Sequence, residues 1–348
     1  MGFEENEEKK NIATQLVEMV SRYELFHDDF NKGYIALTQN GHIENWPLDG
    51  DMIKSWLTHQ YYENYKIVPS KSALGDAIST LRGQAQFKGA RYQVYNRVAK
   101  YGDTYYIDLG DTEWLCATFH SGNWTVCPKA PVKFIRGSAC LAMAMPKREE
   151  SIAALWDFLN IKNKGDQLLV LTWMLDSLRP DTDYPLLIIE GEQGSAKSST
   201  QKRIKALIDP SAMELRTNFK KTQDVVIASQ NDHLLSYNNL SYLSPELQDV
   251  LCNLATGGNF GTRELYTNMG EVMVDIRRPV VMNGISGLVS AQDLSERCIH
   301  LELPAIPDCF RESASDLEAK FSNSYPSLLG SLFDLFASAL KELPDVST

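Results

Sequence analysis

The sequence predicts an α/β protein in which a parallel sheet flanked by helices follows a smaller α+β domain. Two observations support this prediction. Residues 186–200, LLIIEGEQGSAKSST, read as a β-branched strand, a glycine-rich turn and the start of a helix. The later apolar segments DVVIAS, HLLSY, PVVMNG and IHLEL are separated by helical stretches, which is the alternation expected of a parallel sheet with helical crossovers.

The smaller α+β domain is expected over residues 16–148, after a charged stretch, residues 1–15, that we expect to be frayed. Helical periodicity begins around QLVEMVSRYELF, and GDMIKSWLTHQYYENY and KSALGDAISTLRGQA predict two further helices. Residues 91–136 then alternate or run β-rich between Gly, Asn and Asp turns. That pattern predicts a small antiparallel sheet.

Residues 149–310 are expected to hold the parallel sheet, and residues 311–348 a small C-terminal helical lid. SIAALWDFLN and DQLLVLTWMLDSL predict two apolar-faced helices ahead of the glycine-rich turn. The segments around SASDLEAKFS and PSLLGSLFDLFASALKEL predict the pair of helices that would form the lid.

Composition narrows the class of protein. The chain has 348 residues, 43% of them hydrophobic, and a net charge of −11, which argues against a surface that is basic throughout. The six cysteines form no C-x-x-C pair and the six histidines have no zinc-type spacing, so a structural metal is not expected. Without a signal peptide or a long apolar span, we expect a cytoplasmic protein with no membrane partner.

The glycine-rich turn has the spacing of a phosphate-binding loop. Gly191 and Gly194 would let backbone N–H groups curl around a phosphate chain, while Lys197 would reach the β- and γ-phosphates of a nucleotide. Ser198 would hold Mg²⁺. Ala196 stands where G-x-x-x-x-G-K-[ST] has its second glycine. The expected nucleotide-binding residues are Gly191, Glu192, Gln193, Gly194, Ser195, Ala196, Lys197, Ser198 and Ser199.

Polar residues at later strand ends suggest the chemistry. Asn238 and Asn239 end one apolar segment, where such enzymes hold Mg²⁺ and orient the attacking water, and Asn283 ends another, where an amide could bond the γ-phosphate and that water. Arg297 precedes a further strand, a suitable place for an arginine that reaches a neighbouring subunit's γ-phosphate. Taken singly, each asparagine could be a simple turn residue. The role of Arg297 could likewise be limited to pairing with Glu296 or with helix-end carbonyls. Their order along the chain favours the catalytic interpretation.

Two basic stretches are candidate nucleic-acid contacts. Between Asp76 and Asp103 there are cations and no acids, interleaved with aromatic side chains, a mixture that suits a nucleic-acid backbone and stacked bases. The alternative, which we favour, is a solvated strand pair whose aromatics face a core. A second stretch is RTNFKKTQD, for which a solvated loop is also the favoured interpretation. The candidate contacts are Arg82, Lys88, Arg91, Arg97, Lys220 and Lys221.

The segments GEQGSAKS, YNNLS, LCNLATGGNFGTRELYTN and RRPVVMNGI resemble the AAA+ ATPases of phages and integrated mobile elements, which are similar to superfamily 3 and MCM-like replicative helicases. The resemblance implies an AAA+ (ASCE P-loop) domain preceded by an accessory domain that grips DNA or a partner. It further implies an ATP- and Mg²⁺-dependent hexameric ring that acts on single-stranded or forked DNA in the cytoplasm of a bacterial host. Arg297 would be donated in trans, and Ala196 is usual in that family.

In superfamily 3 relatives, a hairpin after the Asn238 strand lines the central pore. The pattern TRELYT–NMG–EVMVDI predicts such a hairpin here, and by resemblance Arg263 and Tyr266 are candidate DNA contacts, although its tip lacks a lysine or histidine. Relatives often continue beyond the point where this chain ends, at LPDVST, so a further C-terminal DNA-binding element is left open.

One position departs from the family pattern, because relatives commonly carry Asp where this chain has Asn238, and a neutral amide holds Mg²⁺ more weakly. Hydrolysis could be slow, Glu190, Glu246 or Asp249 could supply the charge, or the substitution could be engineered. A nucleotide-gated scaffold or loader ring with little hydrolysis is therefore the alternative function. A small-substrate kinase would leave Arg297 unexplained.

Overall fold

The computed structural model describes residues 11–149, 151–217, 221–257, 259–263, 271–275, 277–284 and 287–343, with the backbone alone for 259–263 and 271–275. The chain divides into two compact units, the first comprising residues up to 94 with 133–135 and the second comprising the rest. No helix within the described ranges has the length and apolar character needed to cross a lipid bilayer.

The first unit packs three helices against a four-stranded sheet of order β3-β2-β1-β4. Its elements are α1 (Ile12–Met19), β1 (Glu24–His27), β2 (Gly33–Gln39), β3 (His42–Pro47), α2 (Asp51–Tyr65), α3 (Lys71–Lys88) and β4 (Ala90–Arg91). The two helices predicted after residue 50 are confirmed. Residues 12–15, expected to be frayed, begin α1, whose N-cap Asn11 accepts from the Thr14 amide. The segment ELF, expected to be helical, is strand β1, because Leu25 and Phe26 pair with β2.

The second unit begins with an antiparallel sheet of order β6-β7-β8-β9, which confirms the predicted small antiparallel sheet. Its strands are β6 (Val98–Tyr101), β7 (Thr104–Asp108), β8 (Cys116–His120) and β9 (Asn123–Cys127). The chain also has two two-residue strands, β5 (Val94–Tyr95) and β10 (Lys133–Phe134), of which β10 lies in the first unit. Phe119 and Trp124 pack against Phe333 of the C-terminal helix. The sheet groups with the second unit, consistent with this packing.

The parallel sheet of the second unit confirms the predicted α/β class. Its four strands, in the order β12-β15-β11-β16, are all parallel. They are β11 (Leu186–Gly191), β12 (Leu235–Leu240), β15 (Val280–Gly284) and β16 (Cys298–Leu303). The accompanying helices are α4 (Lys164–Asp176), α5 (Lys197–Ile208), α6 (Thr222–Asn231), α7 (Pro245–Thr256), α8 (Gln292–Ser295) and α9 (Ala314–Glu342), with 3₁₀ turns at Ile152–Asp157 and Asp308–Phe310.

Three sequence expectations differ from this fold. The expected strand DVVIAS lies in α6, where Val225, Val226 and Ser229 form one buried helical face. SIAALWDFLN forms only a 3₁₀ turn. The two expected lid helices are one continuous helix, α9, which contains Pro326 and packs its apolar face into the core of the second unit.

The predicted hairpin is present as β13 (Asn259–Arg263) and β14 (Glu271–Asp275), which pair antiparallel. Its expected tip, with Tyr266, Asn268, Met269 and Gly270, lies outside the described residues.

Candidate nucleotide-binding site

The glycine-rich turn joins the carboxyl end of β11 to α5 and has a backbone that requires its glycines. Gly191 and Gly194 have φ angles of 139° and 84°. A Cβ at Gly191 would lie 2.5 Å from the Leu303 carbonyl oxygen, and one at Gly194 would lie 2.7 Å from Nη2 of Arg311. Ala196 has a left-handed backbone conformation with φ 61°. This conformation costs a residue with a side chain about 1 kcal/mol, which explains why the motif favours glycine there.

Hydrogen bonds hold the buried part of the glycine-rich turn, whereas other residues of the turn are exposed. Ser195 is buried and its Oγ donates to the Glu192 carbonyl (2.8 Å), while Asn160 Nδ2 donates to the carbonyls of Ser195 (3.0 Å) and Pro304 (2.7 Å). Ala196, the N-cap of α5, makes no side-chain capping bond. The first-turn N–H groups of α5 are therefore not occupied by a capping side chain, as an anion site requires. The exposed residues of the loop region are Glu192, Gln193, Gly194 and Ser199.

Lys197 folds back onto the loop. Its Nζ donates to the carbonyls of Gly191 (2.5 Å) and Glu192 (2.8 Å). To bind a phosphate, this ammonium group would exchange two carbonyl partners for phosphate oxygens.

Polar side chains from three elements meet beside the loop. Ser198 Oγ on α5 donates to Asn238 Oδ1 on β12 (2.7 Å), and Asn283 Nδ2 on β15 donates to the same oxygen (2.7 Å). Asn283 Oδ1 in turn accepts from the backbone N–H of Asn239 (2.8 Å). Asn239 has φ 57° and an exposed side chain, so it joins the cluster through its backbone. The cluster lies at the carboxyl ends of parallel strands, where α/β proteins bind ligands.

Gln201 completes this cluster and was not identified from the sequence. It is fully buried on α5, one turn after Lys197. Its Oε1 accepts from Asn283 Nδ2 (2.5 Å), and its Nε2 donates to Ser236 Oγ (2.9 Å) and to the Tyr237 carbonyl (3.0 Å). The available signal was its spacing from Lys197, because a residue one turn further along the helix faces the same strands.

The oxygens of Ser198 and Asn238 fit an Mg²⁺ ion. They are 2.7 Å apart, close to the roughly 2.9 Å between adjacent ligands of an octahedral ion with 2.0–2.1 Å bonds. Of the three acids considered as charge donors, Glu190 instead accepts from the Gly287 N–H (3.3 Å) and faces His300 (3.8 Å). Glu246 lies in the exposed first turn of α7. Within the described ranges, none of the three acids, of which Asp249 is the third, forms a hydrogen bond with Ser198 or Asn238.

Arg297 lies at the opposite end of the sheet. Its carbonyl accepts from the amide of Leu186, the first residue of β11, and its Nη2 donates to Asp293 (3.2 Å). Gly191 is the last residue of the same strand, so roughly 16 Å separates the Arg297 backbone from the loop of its own chain. The structure thus does not bring Arg297 to the cluster within one chain.

Arg311 is a second residue that sequence reasoning missed. Its guanidinium lies against Gly194, Nε donates to the Ile306 carbonyl (3.2 Å), and Nη1 pairs with the exposed Asp308 (2.9 Å). A lone arginine in a polar segment carries no sequence signal, and only the fold of residues 304–311 over the loop shows its position.

The structure corrects one candidate DNA contact, Arg97, which is only 1% exposed. Its Nε donates to Asp209 (2.9 Å) and its Nη1 to the Asp108 carbonyl (3.1 Å). Burial opposes the charge, but Asp209, followed by Cys140 and Asp108, raises the pKa of Arg97 above its ordinary value. A guanidinium enclosed in this way has no access to nucleic acid.

Asp209, which follows the last residue of α5, is the centre of a wider cluster of buried charged and polar groups. It accepts from Lys205 Nζ (3.1 Å) and from the backbone amides of His233 and Leu234 (2.9 Å each). Burial disfavours its charge, but Lys205 and Arg97 outweigh this and lower the pKa of Asp209 well below its usual range. Burial lowers the pKa of His233 to about 4, despite the attraction of Asp209.

The remaining candidate DNA contacts are distributed as follows. Arg82, Lys88 and Arg91 are exposed on the first unit, beside the 87% exposed Phe87, and Arg91 Nε lies 3.4 Å from Asp29. Lys221 is exposed just before α6. Arg263 lies in β13, of which only the backbone is described, and Lys220 and Tyr266 lie outside the described residues.

Three of the solved structures that are similar to this chain illustrate the likeness. The apo C-terminal region of NrS-1 is 12% identical with a TM-score of 0.49, covering 95% of this chain and 74% of that one. SCCmec type IV Cch, an active helicase, is 14% identical with a TM-score of 0.46, covering 92% and 60%. JCV helicase is 9% identical with a TM-score of 0.34, covering 57% and 61%.

Sequence comparison identifies the family. Curated proteins gave no match. Residues 152–346 match the model described as Actinomycete integrative conjugative element replication protein. This range is more than half of the sequence, and it confirms the expected origin in a mobile element. The chain belongs to the family of actinomycete integrative conjugative element replication proteins.

Proposed function

We propose that this replication protein is an ATP-dependent DNA-remodelling ATPase, a replicative helicase that works as a hexameric ring and hydrolyses ATP at subunit interfaces. The observation that carries the proposal is the contact of Ser198 with Asn238, and of Asn238 with Asn283, beside a glycine-rich turn at the carboxyl ends of parallel strands. A phosphate chain bound there would meet N–H groups, a lysine and an oxygen pair suited to Mg²⁺.

In this proposal each residue has one task. Lys197 and the N–H groups of residues 191–197 bind the phosphate chain. Ser198 and Asn238 hold Mg²⁺, which neutralises charge on the transferring phosphoryl group when it is bound. Asn283, fixed by its bonds to Asn238 and Asn239, places the attacking water.

Arg297 acts across the subunit boundary in this proposal. Its position at the amino end of β16, distant from its own loop, supports a role in trans and none in cis. Residues 149–310 would then form an AAA+ domain with a lid over 311–348, after an accessory domain over 16–148. These limits remain predictions.

The first unit offers a surface for DNA. Arg82, Phe87, Lys88 and Arg91 are exposed around the carboxyl end of α3, and an exposed aromatic ring among cations suits a single strand. We propose this surface as the contact of the accessory domain.

Substitution of Lys197 tests the proposal. Lys197→Ala should abolish ATP binding and turnover, because the phosphates lose their only lysine from the motif. The control is Lys202→Ala, an exposed lysine on the same helix that pairs with Glu214 (2.7 Å), which should retain both. Fluorescent-nucleotide titration and phosphate release measure the two quantities. Normal turnover by Lys197→Ala would remove the site assignment.

A second function, a nucleotide-gated scaffold or loader ring with little hydrolysis, is favoured by one observation. The Mg²⁺-binding pair contains no carboxylate, since Asn238 supplies a neutral oxygen. ATP-dependent assembly without turnover, with or without single-stranded DNA, would favour this candidate.

A further inference from the structure

We propose that Gln201 is a positioning residue that, together with the backbone N–H of Asn239, fixes which atom Asn238 presents to Ser198 and to Mg²⁺. This inference rests on the proposed function, because it concerns the same site. It assigns a task to a buried glutamine whose side chain bonds to Ser236, Tyr237, Val281 and Asn283 and not to the glycine-rich turn.

The first step concerns the amide of Gln201. Its Nε2 faces the backbone carbonyls of Tyr237 (3.0 Å) and Val281 (3.3 Å). A backbone carbonyl can only accept a hydrogen bond, so the atom facing these two oxygens must be the NH₂ group. The Gln201 amide therefore has one orientation, with Oε1 directed at Asn283.

The second step concerns Asn283. Because Gln201 presents an acceptor, Asn283 must present its NH₂ group to it (2.5 Å). The opposite atom, Oδ1, then faces the backbone N–H of Asn239, which can only donate (2.8 Å). The second hydrogen of the Asn283 amide is directed at Asn238 (2.7 Å).

The third step concerns Asn238. A donor from Asn283 requires Asn238 to turn its oxygen toward Asn283, and the same oxygen accepts from Ser198 Oγ. This orientation matters because an amide oxygen can bind Mg²⁺ and an amide NH₂ group cannot. A carboxylate at position 238 would need no such control, since both of its terminal atoms are oxygens.

The dependence on Gln201 should therefore disappear when residue 238 is a carboxylate. Gln201→Met keeps the length of the side chain and removes its amide. It should lower kcat at least tenfold and raise the Mg²⁺ concentration for half-maximal rate, with ATP affinity changed less than threefold. In Asn238→Asp, which orients Asn283 by itself, the same substitution should lower kcat less than threefold. Such non-additivity measures the coupling of the two residues.

Gln248 provides a matched control. It is also buried, and its amide bonds to four groups, the Leu243 carbonyl, Ser290 Oγ and the backbone amides of Ser290 and Ala291, but not to the asparagine pair. Gln248→Met should change kcat by the same factor in both backgrounds. A thermal melt of each variant verifies folding, and Gln201→Leu provides a second substitution if Gln201→Met is unfolded.

The outcomes separate this inference from the proposed function. Equal effects of Gln201→Met in both backgrounds, or effects matched by Gln248→Met, would overturn the positioning role while leaving the ATPase intact. If no variant turns over ATP, the Mg²⁺ dependence of nucleotide binding provides the same comparison, and additivity there overturns the inference. Absence of nucleotide binding by the unsubstituted chain would remove both proposals.

Discussion

At the scale of single residues, the candidate nucleotide-binding site contains neutral amides where a carboxylate would bind Mg²⁺ more strongly. Asn238, Asn283 and Gln201 are joined by hydrogen bonds that leave each amide only one orientation. Glu190, one of the candidate acids, accepts from the Gly287 N–H and faces His300 instead. In the proposed site, the strength of Mg²⁺ binding would therefore depend on one amide oxygen and one hydroxyl.

Replacing that amide by a carboxylate should strengthen metal binding. Asn238→Asp keeps the acceptor for Ser198 and Asn283 and adds a negative charge, so we expect a lower Mg²⁺ requirement and an ATPase rate about tenfold higher. Phosphate release is to be measured over a Mg²⁺ series, with and without single-stranded DNA. Asn123→Asp, at an exposed asparagine whose Oδ1 accepts from Arg148 Nη2 (2.8 Å), is the control. An unchanged rate would mean that residue 238 does not limit hydrolysis.

These residues also show how much of the site sequence alone predicts. Ser198, Asn238 and Asn283 were found because motif spacing and strand ends are local signals. Gln201 and Arg311 were missed because their roles arise from contacts across the fold, with strands β12 and β15 and with Gly194. Arg97 was misassigned because a basic run gives no information on which cation is enclosed.

At the scale of elements, long periodic segments were predictable and short ones were not. Helices α2 and α3 and the strands of the parallel sheet follow their hydrophobic patterns. The short apolar run DVVIAS fits either a strand or a buried helix face, and packing decides for α6. The two helices expected for the lid are one helix, because α9 continues through Pro326.

The end of α5 should make the fold sensitive to acid. His233 has a pKa of about 4 when folded and an ordinary value near 6.5, so the unfolded chain binds a proton that the folded chain excludes between those values. The free energy of unfolding should therefore decrease as the pH is lowered through this window, by about 2 kcal/mol between pH 7 and pH 5. Urea denaturation at both pH values measures the loss.

His233→Asn should remove most of this pH dependence, because it eliminates the titrating ring and keeps the backbone N–H bond to Asp209. His120→Asn, at an exposed histidine, should leave the slope unchanged. A slope equally steep in His233→Asn would assign the acid sensitivity to other groups.

At the scale of the whole molecule, a ring would bring together residues that one chain keeps apart. The glycine-rich turn and Arg297 lie at opposite ends of the same pair of adjacent strands. A nucleotide site that needs both can be completed only by two chains, so activity and assembly should depend on each other.

Mixing inactive variants should reveal this dependence. Lys197→Ala retains Arg297 and Arg297→Ala retains Lys197, so a mixture contains interfaces with both residues and should regain ATPase activity that neither variant has alone. Lys197→Ala mixed with the Lys197→Ala/Arg297→Ala double variant should regain none. Mass photometry with Mg²⁺-ATP and forked DNA should detect a hexamer-sized species in each mixture. A monomer under all conditions would exclude a role for Arg297 in trans.

Helix α5 has a mechanical consequence of its own. Its twelve residues span about 18 Å, with the glycine-rich turn at one end and Asp209 just past the other, bonded to Arg97 of the antiparallel sheet region. A rod anchored at its far end pivots there when its near end moves. A shift of the glycine-rich turn would therefore rotate α5 about the buried cluster of Asp209, Arg97 and Lys205, which connects the two sheets of the second unit.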